Sequence, residues 1–216
     1  MILLCGRYYI PADEAFIQEI REILEEISMK YAGAPEREQM KSGEVFPSNI
    51  VPIVAATGAE LATWGFPKTK GVGVVINARS ESARTSFFWK DSVEERRVAI
   101  PTGGFFEWPH GANVPKQKYL FSLPGSAVLY LAGIFKFFET DKGLKRRVVI
   151  LTTAANASVA PYHDRMPVLL MKDETEAWIN DGRLTDAILT RVPPELTAVP
   201  VDPPPTEPEM EQMSLF

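Results

Sequence analysis

Four short segments carry side chains suited to making and breaking a bond at a carbonyl carbon. They are Cys5-Gly6-Arg7-Tyr8, Asn77-Ala78-Arg79-Ser80-Glu81, Gly104-Phe105-Phe106-Glu107-Trp108 and His163-Asp164-Arg165-Met166-Pro167. A thiolate supplies a nucleophile, an imidazole a proton shuttle, a carboxyl group an acid or base, and an amide a polar stabiliser. Each alone also reads as ordinary structure: a small buried thiol, a satisfied histidine, a surface Arg–Glu pair, an aromatic core with one charge at its edge. A metal centre is the weaker alternative. The chain has one cysteine and two histidines, with no paired ligand spacing.

The elements that must position these groups come from the patterning. Apolar residues Phe16, Ile20, Ile23, Leu24, Ile27 and Tyr31 recur at helical spacing, with Asp13 placed as an N-cap and Gly33 as a C-cap. From about residue 44 to 170 the texture turns to short β-like runs: Gly73 to Ile76, Arg97 to Ile100, Ala127 to Ile134 and Arg147 to Thr153. Pro124-Gly125 and Asp141-Lys142-Gly143 read as turns, the latter joining two strands as a hairpin. A second helix is expected from near Asp173, with Glu176 completing a capping box, and a further short one over Leu184 to Arg191. From Pro193 onward seven prolines predict extended, solvated chain. The expectation is one α+β domain over residues 1–195 and a flexible tail over 196–216.

Composition bounds the function. Apolar residues make up 45% of the 216 and charged residues 24%, an ordinary globular mixture. No run of about 18 apolar residues predicts a membrane span, and Met1 to Leu4 is too short and lacks the basic flank of a secretory signal. A lone cysteine cannot form an internal disulfide, so a reducing, cytoplasmic setting fits. The net charge of −5 is concentrated in the tail acids Asp202, Glu207, Glu209 and Glu211. The body is therefore nearly neutral, which excludes a strongly basic, non-specific coater of nucleic acid while permitting a local basic strip.

The order and wording of the segments resemble the SRAP family, named for SOS-response-associated peptidases and known for abasic-site processing. The likeness spans roughly residues 5 to 180. It comprises the Cys-Gly-Arg-Tyr start, Asn49-Ile50-Val51-Pro52, Trp64-Gly65-Phe66, Asn-Ala-Arg-Ser-Glu, Pro101 to Trp108, and His-Asp-Arg-Met-Pro-Val. The resemblance implies a β-rich α+β fold with a curved, barrel-like sheet and flanking helices, a groove for single-stranded DNA, no cofactor, and a monomer associated with the nucleoid. It implies that an amino-terminal cysteine condenses with the ring-opened aldehyde of an abasic site, thiol and α-amine closing a thiazolidine on one carbon. Carried across, Cys5 is the nucleophile and Asn77 holds the reacting amine and sugar oxygen. Glu107 is the acid/base for ring-opening and condensation, and His163 exchanges protons and is implicated in strand cleavage or crosslink release. Arg7, Arg79 and Arg165 are the implied phosphate ligands, Trp64 the base-stacking platform, and Thr152 a further DNA contact.

One departure matters chemically. Four residues precede Cys5, and an internal cysteine has an amide nitrogen whose lone pair is delocalised, so it cannot close the thiazolidine. Initiation at the Leu4 codon, self-cleavage of the Leu4–Cys5 bond, or loss of stable crosslinking would each account for it; the first two are preferred. The terminal residues Gln212-Met213-Ser214-Leu215-Phe216 resemble the peptide by which bacterial repair proteins bind the sliding clamp, with Leu215 and Phe216 as apolar anchors. Two other function classes remain open from the residues: a cysteine peptidase or amidase using Cys5, His163 and Glu107, and a non-catalytic adaptor for single-stranded DNA or the clamp.

Overall fold

Most of the apolar runs serve the two faces of one barrel wall. The computed structural model describes residues 6–11, 18–109, 117–141 and 143–201. Strand β1 (Tyr8–Ile10) precedes helix α1 (Gln18–Lys30) and the single turn α2 (Pro35–Glu38). Strands β2 (Gly43–Val45), β3 (Ile50–Ala55) and β4 (Gly58–Trp64) follow, then a small hairpin of β5 (Phe66–Pro67) and β6 (Val74–Val75). Strand β7 (Asn77–Arg79) runs directly into α3 (Ser80–Ala83); α4 (Lys90–Glu95) leads to β8 (Arg97–Thr102) and β9 (Gly104–Glu107). After β10 (Lys118–Ser122) come two long strands, β11 (Leu129–Thr140) and β12 (Gly143–Ala154), and the short β13 (Arg165–Pro167) and β14 (Leu169–Leu170). Helices α5 (Thr175–Asn180) and α6 (Thr185–Thr190) precede β15 (Thr197–Val201).

Strands β4, β3, β8, β11 and β12 pair in that order, and β12 pairs back onto β4 to close the barrel. Five strands cannot alternate direction all the way round, so one contact has to be parallel; it is β12 on β4, with Val148 opposite Trp64. Val98 and Ile100 of β8 join the inner cluster of Val51, Ile53, Trp64, Leu131 and Val148. Between them Ala99 faces outward to Ala132, Val149 and Trp178. Both faces are covered, which is why β8 reads as a continuous apolar run instead of alternating. Buried Arg97 donates from Nε to Trp178 O at 2.5 Å and from Nη1 to Val93 O at 2.7 Å, tying the last turns of α4 and α5 to the wall.

The second sheet has the order β15-β10-β9-β1-β2. Tyr8, Ile10, Phe105 and Phe121 on it share the inner cluster, and the Phe105 and Phe121 rings stack with centroids 5.3 Å apart. A third device sits where β11 and β12 diverge. Val168 donates its N–H to Leu151 O and accepts from Ala132 N–H, both at 2.8 Å, so β13 and β14 fill the gap between the two long strands. The α+β, β-rich architecture agrees with the expectation, as does the hairpin of β11 and β12, in which Thr140 pairs with Gly143.

Three expectations need correction or fall outside the described residues. The helix near Asp173 begins as a 3-10 turn over Lys172–Glu174, and it is Glu174, not Glu176, whose carboxylate accepts the Met171 N–H at 2.9 Å. The turn starts at Met171, which puts the capping acid two residues earlier than the motif suggested. The boundary at 195 and the solvated chain from Pro193 are also corrected through residue 201. Thr197–Val201 pairs with Lys118–Ser122 as an edge strand, and Leu196 is buried. An edge position tolerates Pro200 because one side of the strand needs no ladder hydrogen bonds. Asp13 and Phe16 of the first helix lie outside the described residues; its far end is as expected, with Gly33 at φ 73° just beyond it.

Candidate functional site

Strand register brings two of the chemistry-bearing segments side by side. In β1, Tyr8 lies opposite Phe105 of β9 and Tyr9 opposite Glu44 beyond β2 Val45 pairing. Phe106 donates its N–H to Arg7 O at 3.0 Å, so the pairing reaches one residue beyond β1, to the neighbours of Gly6 and Glu107. Glu107 closes β9 and is only 3% exposed. Cys5 lies outside the described residues; its neighbour Gly6 lines a cavity of about 310 Å³ together with Arg7, Phe46, Pro47 and Trp108. Arg7 is stacked between two rings, its guanidinium carbon 4.8 Å from the Phe46 centroid and 4.9 Å from that of Trp108. Its Nη1 donates to Glu44 at 3.0 Å, and Lys118 Nζ donates to the other carboxylate oxygen at 2.9 Å. Burial alone would raise the Glu44 carboxyl, but these two cationic donors outweigh it and hold the group below the usual range.

His163 is 4% exposed. The turn that delivers it is organised by buried Asn156, whose Oδ1 accepts the Ser158 and Val159 N–H groups at 3.1 and 3.2 Å. The Asn156 amide donates to Pro193 O and Pro194 O, which anchors the proline segment to this turn. Tyr162, next to His163, packs its ring 4.7 Å from that of Tyr119, the residue paired with Glu107 across β10 and β9. That contact ties the histidine turn to the sheet that carries Glu107. The His163 Nδ1 accepts the Arg165 N–H at 3.0 Å and also lies 2.9 Å from the exposed Asp164 carboxylate. One nitrogen cannot do both. With a lone pair it accepts from Arg165 and the neutral ring's proton is on Nε2; protonated, it donates to Asp164. The cost of leaving the buried Arg165 N–H unpaired favours the first arrangement.

Asn77 begins β7, which runs parallel to β12 with Asn77 opposite Ile150 and Arg79 opposite Thr152. On the far side of β12, Thr152 pairs with Pro167 and Ala154 with Arg165. The asparagine and histidine segments therefore flank one strand. Trp64 supports this arrangement from beneath: its Nε1 donates to Ile76 O at 3.1 Å, one residue before Asn77. Trp64 is 0% exposed and meets Tyr8 edge-on at 5.0 Å, which corrects its assignment as a base-stacking platform. A Trp beside Gly65 at the end of a barrel strand points inward, and the inner core takes it.

The remaining implied DNA contacts differ in availability. Arg79 is exposed at the end of β7, and Arg7 is part-exposed at the cavity. Thr152 is buried, and its carbonyl accepts from Arg165 Nη2 at 2.7 Å. Arg165 is buried with both Nη atoms on the Glu81 carboxylate. Gln212, Met213, Ser214, Leu215 and Phe216 lie outside the described residues. Patterning missed Glu44, Phe46 and Pro47, which carry no motif and reach the site only through the pairing of β1 with β2. Among the described residues no three His, Cys, Asp or Glu side chains could share a metal ion, and no helix is long and apolar enough to cross a membrane.

With this geometry in view, comparisons with known proteins are informative. A sequence model of the family described as SOS response associated peptidase (SRAP) matches residues 4–204. The chain is 28% identical over 156 residues to the abasic site processing protein YoaM of Bacillus subtilis, covering 68% of this chain and 69% of that protein. It is 26% identical over 187 residues to the abasic site processing protein YoqW of the same bacterium, covering 82% of this chain and 80% of the relative. A crystal structure of a Bacteroides thetaiotaomicron protein superimposes with a TM-score of 0.73 at 19% identity, covering 98% of this chain and all of the other, which speaks to fold alone.

Proposed function

This chain belongs to the SOS response associated peptidase family, and from that premise we propose that it processes abasic sites in single-stranded DNA by covalent capture through Cys5. The observation that carries the reading is the pairing of β1 with β9, in which Arg7 O accepts from Phe106 N–H, next to buried Glu107, while Gly6 and Arg7 line the cavity. Arg7 in that hollow offers a cation to a phosphate, and Glu107 offers a carboxyl group at the end of the neighbouring strand. The relatives YoaM and YoqW, both abasic site processing proteins by name, support the substrate class.

The chemistry is written for a free α-amine on Cys5. The ring-opened sugar presents an aldehyde at C1. The amine adds to that carbon, a proton moves from nitrogen to oxygen, and water leaves to give an imine. The thiolate then adds to the same carbon and the nitrogen takes up a proton, closing a five-membered ring with loss of one water overall. Glu107 is the group assigned to proton transfer in ring-opening and dehydration, Asn77 to holding the amine and sugar oxygen, and His163 to the proton steps of release or β-elimination. Arg7 and Arg79 are the phosphate contacts with exposed guanidinium surface.

A free amine requires that Met1 to Leu4 be absent from the mature protein, through initiation at the Leu4 codon followed by hydrolytic removal of the initiator methionine, or through attack of the Cys5 thiol on the Leu4 carbonyl followed by hydrolysis. The test is a single-stranded oligonucleotide with one abasic site. Protein whose intact mass starts at Cys5 is expected to give a denaturation-resistant adduct lost in Cys5→Ala. Absence of any adduct with such protein, or turnover of unrelated peptides instead, overturns the reading.

The tail supplies a second, separable proposal. Residues 202–216 follow the β15 edge strand and end in Gln212-Met213-Ser214-Leu215-Phe216. Fifteen residues span at most about 50 Å, enough to tether the domain to a ring-shaped clamp on the same DNA. Deleting the last five residues is expected to abolish clamp pull-down and leave adduct formation unchanged; retained pull-down refutes the docking role.

A further inference from the structure

Arg165 and Glu81 belong to two motifs more than eighty residues apart, yet they form one clamp over the end of β12. The Glu81 carboxylate takes both Nη atoms of the guanidinium, the Nη2 contact at 2.8 Å. The same Nη2 donates to Thr152 O at 2.7 Å. Arg165 leads β13 on one side of β12, and Glu81 sits in α3, directly after β7 on the other side. The side chain of Arg165 is 11% exposed and that of Glu81 52%, so the acid reaches in from the surface to a buried cation. A paired fork of this kind fixes orientation as well as charge. The arginine bonds also hold the Glu81 carboxyl below its usual range.

What this clamp orients is the next link. The Arg165 backbone N–H is the donor to His163 Nδ1 at 3.0 Å, in competition with Asp164 at 2.9 Å. Moving the Arg165 backbone by a fraction of an ångström would favour the other neutral tautomer, in which the ring's one N-bound proton sits on Nδ1 and is donated to Asp164, leaving Nε2 unprotonated. We propose that Glu81 is a positioning residue that acts through Arg165, holding His163 with Nδ1 as the acceptor and keeping the histidine turn in register with the strand that bears Asn77. This rests on the reading of His163 as a proton-transfer group and names what sets its tautomer. Arg165 in this role is an internal brace: both Nη atoms are committed to Glu81 and Thr152, and its Nε is buried.

The test reads the tautomer directly. In the full chain with His110→Gln, His163 is the sole histidine, and its ¹⁵N resonances above neutral pH report which nitrogen carries the proton. The parent is expected to show an unprotonated Nδ1. Glu81→Ala is expected to move both resonances toward a protonated Nδ1 and to slow single-turnover processing of abasic DNA about tenfold, the scale of a small misplacement of a reacting group. Glu81→Gln, which keeps the reach but offers Arg165 one acceptor oxygen instead of two, is expected to fall between the parent and the Ala variant. Should Glu81→Ala fail to fold, Glu81→Asp keeps the charge but not the reach and is expected to show the same shift in smaller measure. Parent-like resonances in a folded Ala or Asp variant overturn the proposal. Loss of adduct chemistry in the parent would overturn the functional reading instead and leave the resonance result standing.

Discussion

Two carboxylates on this molecule each hold two cations, and they are built to opposite ends. Glu60 on β4 is 5% exposed and receives every bond it can use. Lys30 Nζ and Tyr31 Oη donate to it at 2.5 Å, Thr57 Oγ1 and Arg146 Nη1 at 2.8 Å. Burial raises its pKa, but the surrounding donors dominate and bring it down to about 2. The hollow beside it, about 210 Å³, is lined by none of Asn77, Glu107 and His163. Glu44 beside Arg7 is looser: each of its oxygens takes one cation, and the arginine keeps 40% of its side-chain surface between two rings. A saturated carboxylate fastens helix α1 to the barrel; a half-committed arginine at a cavity keeps donors for a ligand. The difference separates scaffold from site more sharply than charge or burial alone.

The comparison breaks most easily at Glu60. Glu60→Ala strands Arg146, whose side chain is 16% exposed, and is expected to cost about 3 kcal/mol. For a chain of this size that lowers Tm by roughly 6–12 °C, measured by calorimetry. Adduct formation at 25 °C by the surviving folded protein should be unchanged, and a selective loss of activity would place Glu60 in the site after all. The same group sets an acid limit. Its folded pKa of about 2 lies below the 4.5 expected when unfolded, so its contribution is fully present above pH 4.5 and disappears as pH falls toward 2. Denaturant midpoints measured across that window should fall in the parent and stay flatter in Glu60→Gln.

At Arg7 the effect should appear in binding. Arg7→Ala is expected to weaken binding of undamaged single-stranded DNA about tenfold and to lower the slope of log K against log salt by about one, the signature of one phosphate contact. Tm should move by no more than about 2 °C, since part-exposed pairs contribute little to stability. Anisotropy titrations at three salt concentrations check both quantities. An unchanged salt slope would mean that Arg7 serves Glu44 and the cavity wall, making it scaffold like Arg146.

How far these roles could be read from the residues follows from the range of the forces involved. Helix α1 and the β11–β12 hairpin depend on neighbours close in the chain, and their patterns were legible. Glu44 and Phe46 were not, because only the pairing of β1 with β2 brings them to Arg7, and register over such separations is set by packing. Trp64 was misjudged for a related reason: a tryptophan looks alike as core or as platform until the direction of its strand is known. Thr197–Val201 was hidden by prolines, whose local preference for extended chain is satisfied equally by an edge strand and by a solvated tail.

The smallest effect tests the rings around Arg7. Phe46 is 40% exposed and offers one face to the guanidinium, while Trp108 and Glu44 hold it from other directions. A cation–π contact at such an exposed place is worth about 0.5–1 kcal/mol. Phe46→Leu keeps an apolar wall and removes only the ring's quadrupole, so DNA affinity should fall about two- to fivefold with no change in Tm. That loss should vanish in an Arg7→Ala background, because the ring then has no cation to orient. If Phe46→Leu costs as much alone as Arg7→Ala does, and still costs it when Arg7 is absent, the ring itself must touch the nucleic acid. The cavity wall would then be a stacking surface of the kind that buried Trp64 cannot provide.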